Sequence, residues 1–187
     1  NASKTLFMIT SKQYSLGQFY QEYQELPASI SAQFTGSAGM KLLADQLIEV
    51  AALNEELAPF RILTGCEVDI LLDGSLDLPD DVLAGLDVVV ASAHSKLSMP
   101  ERPMTERLVR AAASPHVDIL GHCTGRMLTG RGRPPSAFDA ELVFAACARF
   151  GTAVELNCRP ERQDPPEDLL EVALEWDCFL AVNSDAH

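Results

Sequence analysis

The sequence is short of positive charge, of aromatic residues and of long apolar runs. Fourteen Lys and Arg stand against 27 Asp and Glu, a formal net charge of −13 over 187 residues. That balance argues against a nonspecific grip on nucleic acid, which needs a surplus of cations. It leaves room for a local basic patch, or for a metal-filled site that draws phosphate to an acidic surface. The apolar runs fall far short of the roughly 20 residues of a membrane helix, and no signal-peptide pattern opens the chain, so no membrane partner is expected. Five cysteines, Cys66, Cys123, Cys147, Cys158 and Cys178, form no Cys-x-x-Cys and leave one over. A disulfide framework is therefore not expected, a cytoplasmic location is, and each thiol reads as a small buried residue. No Gly-x-Ser-x-Gly surrounds Ser92 or Ser95, which argues against a serine hydrolase of the nucleophile-elbow type.

What remains is an ordinary globular composition, 47% hydrophobic and 22% charged, and a length that suits one domain with a sizeable core. Residues 1–39 differ in texture from the rest. They hold no arginine, and Lys4 and Lys12 balance Glu22 and Glu25, so the net charge lies wholly in residues 40–187. A strand at 6–9, a helix at 18–26 and a loop at 31–39 are expected there. The chain opens without methionine and stops at His187 directly after a site-like motif, as a segment trimmed at both ends would.

From residue 41 the pattern is regular. Leu43, Leu47, Val50, Ala51 and Leu57 follow a helical period that ends before Pro59. Strands are expected around 62–64, 88–91, 117–120, 152–156 and 179–182. Helices are expected at 79–86, 105–113, 137–150 and 167–176, with Gly151 closing the third of these. Alternation of this kind implies right-handed crossovers and a mainly parallel sheet, open or rolled into a barrel.

Each apolar segment delivers a functional side chain just past its last hydrophobic residue: Glu67 and Asp69, His94, His122, Asn157, and then Asn183, Asp185 and His187. In a parallel sheet those positions share one face, where α/β proteins build their sites. Three of the four histidines stand at such ends; His116, after Pro115, reads as a surface residue. Imidazole and carboxylate together suit zinc, manganese or iron. On extended backbone Asp185 and His187 point to the same side, as do Glu67 and Asp69, so one of the latter pair can bridge ions while the other orients a ligand from behind. Asn157 is a candidate to orient a ligand or the substrate. Arg126, Arg131, Arg133, Arg159 and Arg162 offer forks for phosphate oxygens.

The runs Gly65–Ile70, Ala91–Ser95, Leu120–Arg126, Glu155–Asn157 and Asn183–His187 resemble successive motifs of the PHP domain, the polymerase and histidinol phosphatase superfamily. Residues 69–79 and 122–126 resemble in particular the PHP domains of bacterial family X DNA polymerases and related phosphoesterases. The resemblance runs from about residue 41 to the end. It implies a distorted TIM-like (β/α)7 barrel over residues 1–187, with up to three divalent transition-metal ions (Zn, Mn or Fe) at the strand ends. It assigns Glu67 as a bridging carboxylate that holds one ion with His94 and His122, and gives Asp185 and His187 roles toward the others. A metal-bound water then attacks phosphorus, with no separate side-chain base. Arg126 and Arg162 match arginine positions of the family and are the expected substrate contacts.

The family's opening His-x-His is absent. At the second strand, residues 7–10 are followed by Ser11-Lys12-Gln13-Tyr14 where the family has a Thr-Asp-His segment. The N-terminal strand is thus missing or altered, and fewer than three ions are expected if those ligands are lost. Two functions follow. One is a metal-dependent phosphoesterase acting on a small phosphomonoester or a DNA 3′ end. The other is a degenerate module with a structural or regulatory role beside a polymerase domain in the parent chain. A metal-dependent amidohydrolase shares the ligand types but fits the neighbouring residues less well.

Overall fold

The structure is a computed structural model that describes residues 5–9, 12–15 and 49–185. The expected helix at 18–26, the loop at 31–39 and His187 lie outside the described residues. The chain divides into two compact units, one formed by Asn1–Thr64 with Gly85–Asp87, the other by Gly65–Ala84 with Val88–His187.

In the first unit, β1 (Thr5–Ile9) pairs antiparallel with β2 (Lys12–Ser15). Residues 49–56 are helical, the C-terminal part of the amphipathic run before Pro59. The segment after this helix is irregular, not the strand expected at 62–64. Polar side chains take its backbone groups instead. Asn54 accepts from Ile62 N at 2.6 Å and donates to Ile62 O at 2.9 Å. Asp87 accepts from Thr64 N and Oγ1 at 2.9 and 3.0 Å and pairs with Arg61.

The second unit is α/β. Five parallel strands run in sequence order, β3 (Gly65–Asp69), β4 (Val88–Ser92), β5 (Ile119–Leu120), β6 (Ala153–Asn157) and β7 (Leu180–Asn183). Between them come α1 (Asp80–Leu83), α2 (Glu101–Ala112), α3 (Ala140–Phe150) and α4 (Glu167–Glu175). Glu67 and Asp69 therefore lie within a strand that begins later than the apolar pattern suggests. The reason is pairing, since Gly65–Asp69 is in register with the whole of Val88–Ser92.

Helix α2 starts four residues before its expected N-terminus, because Pro100 and Pro103 bracket its first turn, where no intrahelical N–H is required of proline. Asp139 caps α3 by accepting from Leu142 N, and Gly151 ends it in the left-handed region at φ 80°. Met104, Leu108 and Ala111 of α2 and Val143, Phe144 and Cys147 of α3 are fully buried, together with Val68, Val89, Ala91, Leu120 and Val154 of the sheet. The spacing of the helical set is the one that places side chains on a single face.

All five cysteines are free. Cys123, Cys147 and Cys178 are buried and Cys66 is half-buried, but Cys158, just past β6, is exposed. Burial raises the Cys147 thiol to about 12, which fits a packing role. Among the described residues no helix is long and apolar enough to cross a membrane.

Candidate metal centre

Three neighbouring parallel strands bring one carboxylate and two imidazoles together. Glu67 is the central residue of β3, and His94 and His122 each stand two residues beyond the ends of β4 and β5. Glu67 Oε1 lies 3.3 Å from His94 Nε2 and 3.0 Å from His122 Nε2. The imidazole rings meet edge to face, with centroids 5.2 Å apart. One ligand atom from each residue falls within 4.8 Å of the others. Gly121 makes the approach possible, because a Cβ there would fall on Ser92 Oγ and 2.8 Å from Val90 Cγ1.

Each ligand arm is braced. Asp69 Oδ1 accepts from His94 N at 3.0 Å and meets His94 Nδ1 at 3.1 Å, which leaves Nε2 facing Glu67. A carboxylate behind one ring nitrogen is the usual way a ligating histidine is oriented. Arg107 on α2 is buried and donates to the carbonyls of Ile70, Leu71 and Ser95. It thereby joins the turn after Asp69 to the segment after His94. The His122 side chain is 3% exposed, and its Nδ1 is buried without a hydrogen-bond partner among the described residues.

The electrostatics match this geometry. Hydrogen bonds from His122 and then His94 hold the Glu67 carboxyl far below the usual carboxylate range, against the effect of partial burial. The hydrogen bond to Glu67 raises the His94 imidazole above its ordinary value, and Asp69 adds to the rise.

The other expected site residues are placed as follows. Asp185 follows β7 in the left-handed region at φ 51°. Its carboxylate is 2.9 Å from Arg162 Nε and 3.6 Å from Arg159. Burial opposes ionisation there, but the Asn157 amide and the Arg162 guanidinium hold its pKa below the ordinary value. It is not among the three residues whose ligand atoms converge. Asn157, the buried last residue of β6, donates to Glu155 Oε2 at 3.3 Å and accepts from Arg159 N at 3.1 Å. Arg126 donates through Nε to Arg162 O at 3.0 Å and through a terminal nitrogen to Gln163 O. Arg162 keeps one nitrogen, Nη1, buried and without a hydrogen-bond partner among the described residues. His116 is partly buried, 4.0 Å from Asp80.

Two buried carboxylates were not picked out by reading strand ends. Glu155 Oε2 accepts from His122 N at 2.5 Å, and its Oε1 accepts from Asn183 Nδ2 at 2.6 Å, linking β5, β6 and β7. Asp164 accepts from Thr124 N and Oγ1 at 3.1 and 2.6 Å and from Arg126 N at 3.2 Å, which pins the loop after His122. The signal for Glu155 was a carboxylate inside an apolar strand, a position that needs buried donors.

No protein-family model matches the chain. The chain is similar to the DNA polymerase/3′-5′ exonuclease PolX of Bacillus subtilis strain 168, 44% identical over 145 residues, which are 78% of this chain and 25% of that protein. It is also similar to a probable phosphatase of Thermoanaerobacter sp. strain X514, 33% identical over 72% of this chain and 56% of the relative. A probable phosphatase of Aliivibrio fischeri strain MJ11 is 33% identical over 67% of this chain and 51% of the relative. The chain thus spans a quarter of the polymerase and about half of each phosphatase.

Proposed function

We propose that this chain is a PHP-type, metal-dependent phosphoesterase domain, residues 1–187 forming one such domain and β3–β7 being part of its (β/α)7 barrel. The observation that carries the reading is the Glu67–His94–His122 cluster, with Glu67 in the middle of β3 and the histidines just past β4 and β5, the two strands next to it. The similarity to a PolX polymerase/exonuclease and to probable phosphatases supports it.

The donor set fits a divalent transition ion. Ligands about 2.0–2.1 Å from a tetrahedral ion lie roughly 3.3 Å from one another, and the carboxylate-to-imidazole separations here are 3.0 and 3.3 Å. Zinc, manganese and iron all accept this mixture of nitrogen and oxygen. Such an ion supplies Lewis-acid polarisation of a phosphoryl oxygen and water activated near neutral pH.

The chain's own residues do the rest. Glu67, held ionised, offers a carboxylate for one ion or for a bridge between two. His94 and His122 present Nε2, and Asp69 fixes the first of them. Asp185 and His187 carry the ligands for further ions, up to three in all. Arg162, aligned by Asp185 and with Nη1 unpartnered, and Arg126 receive phosphate oxygens, while Asn157 holds Asp185 and the substrate side of β6. The substrates are a phosphomonoester or the 3′ end of DNA, and a polymerase domain in the parent protein is the expected partner.

Metal-dependent release of phosphate, or of nucleotides from a 3′-labelled oligonucleotide, tests the reading. Alanine at His122 is expected to lower the rate by about 100-fold or more, since even residues behind a metal ligand cost 10–100-fold. The ion pair between Asp185 and Arg162 favours a second reading, in which a single-ion domain serves as a structural module. Absence of hydrolysis by a metal-loaded chain would favour that one.

A further inference from the structure

The two histidine arms of the cluster are held differently, and the difference traces to one buried side chain. The His94 ring is braced at Nδ1 by Asp69. The His122 ring has no such brace, since its Nδ1 is buried without a hydrogen-bond partner among the described residues. The hold on His122 comes instead at its backbone, whose N–H donates to Glu155 Oε2. Glu155 is 2% exposed and stands in the middle of β6, the strand after the one that leads to His122.

Both oxygens of Glu155 accept, and both of its amide partners are oriented from their far sides. Asn183 donates through Nδ2 to Glu155 Oε1 at 2.6 Å, while its Oδ1 accepts from Asp185 N at 2.8 Å. Asn157 donates through Nδ2 to Glu155 Oε2 at 3.3 Å, while its Oδ1 accepts from Arg159 N at 3.1 Å. Each amide is thus fixed in one sense, oxygen toward a backbone N–H and nitrogen toward the carboxylate. An amide in place of that carboxylate would turn its own N–H groups on His122 N or on the Asn183 amide. Rotating Asn183 would only move the conflict to Asp185 N. A single carboxylate therefore sets three chain segments at one end of the sheet, through hydrogen bonds of the charge-assisted kind.

We infer that Glu155 is the positioning residue of the metal centre. Its carboxylate is not among the ligand atoms that converge, so it acts through others. It places His122 directly, and through the two asparagines it places the backbone at Asp185 and Arg159. For His122 it does from the main chain what Asp69 does for His94 from the ring. The inference rests on the metal-dependent reading for what is positioned, while the network of donors and acceptors is independent of it.

The test is titration of Co2+ into the full chain, read by its visible ligand-field absorption and by competition with a chromophoric chelator. Circular dichroism and thermal melting report the fold of each variant. Glu155→Gln should bind Co2+ about 10–100-fold more weakly, the usual cost of removing a group behind a metal ligand, and with an altered absorption band. The exchange Glu155→Gln/Asn183→Asp swaps amide and carboxylate, gives every donor an acceptor again, and should recover most of the affinity. A purely structural role would lower the melting temperature but leave the affinity and band of folded Glu155→Gln unchanged, and that result would overturn the inference. So would a folded exchange variant that binds no more tightly than Glu155→Gln. If Glu155→Gln does not fold, Asn183→Ala decides, at the exposed last residue of β7. It withdraws one donor from Glu155 and should weaken Co2+ binding; unchanged affinity there overturns the inference as well. An unaltered chain that takes up no Co2+ removes the metal reading and this inference with it, whereas equal affinity in the unaltered chain and Glu155→Gln removes this inference alone.

Discussion

Glu67 faces two imidazoles at once, and the pH response of the metal-free protein follows from that. The carboxylate is held below its ordinary value of 4.5 and His94 above its ordinary 6.5. A depressed acid stabilises the fold above its unfolded pKa and loses that contribution as pH falls through the lowered value. A raised histidine stabilises it below its unfolded pKa and loses that contribution as pH rises through the raised value. The pair therefore favours the metal-free fold most between the two ordinary values. Both side chains are more than a third exposed, so screening limits the effect to less than about 1 kcal/mol. Thermal melting in EDTA should show the unaltered chain losing more stability than Glu67→Gln as pH rises above the ordinary histidine value of 6.5; parallel losses would contradict the coupling. Metal binding should release a proton from His94, so affinity should rise with pH through its raised value.

His94 and His122 were visible as polar positions just past apolar strands, and Glu67 as the first carboxylate after an apolar run, although it lies inside β3. Glu155 and Asp164 were less legible. Most of their partners, backbone N–H groups and side chains alike, sit on a different strand or loop, and no local pattern encodes those.

At the level of elements, the sheet positions the ligands and α2 locks them. Arg107 is the joint, taking three carbonyls from two separate loops. Replacing it with methionine keeps much of the volume and removes the donor to the buried Ile70 carbonyl, while Leu71 O keeps Gly74 N, so the cost should be roughly 1–3 kcal/mol. Urea unfolding measures this, and metal affinity should fall in the same variant because Asp69 and His94 both lose their support. A loss below about 0.5 kcal/mol, the range of ordinary surface substitutions, would show that the loops hold themselves.

The alternation of strands and helices from β3 onward was readable from periodicity. The offset of β3 was not, since the apolar residues at 62–64 suggested a strand while pairing with Val88–Ser92 selected Gly65–Asp69. The start of α2 was obscured for a related reason: proline reads as a helix breaker unless its place in the first turn is known.

For the molecule as a whole, an acidic chain carries a carboxylate–imidazole cluster and an arginine-lined loop. The cluster is the proposed cation site, and the loop after His122 is lined by Arg126, Arg131 and Arg133. The five parallel strands in sequence order are compatible with the proposed barrel, and the chain is similar to a polymerase/exonuclease and to probable phosphatases. The phosphoesterase reading depends on the chain holding a metal. The most direct test is elemental analysis of the protein after loading with zinc or manganese and removal of excess ion, beside His122→Ala checked for retained fold by circular dichroism. The metal-site assignment predicts at least one ion per unaltered chain and its loss in the folded variant. No bound ion, or equal content in both proteins, would contradict it.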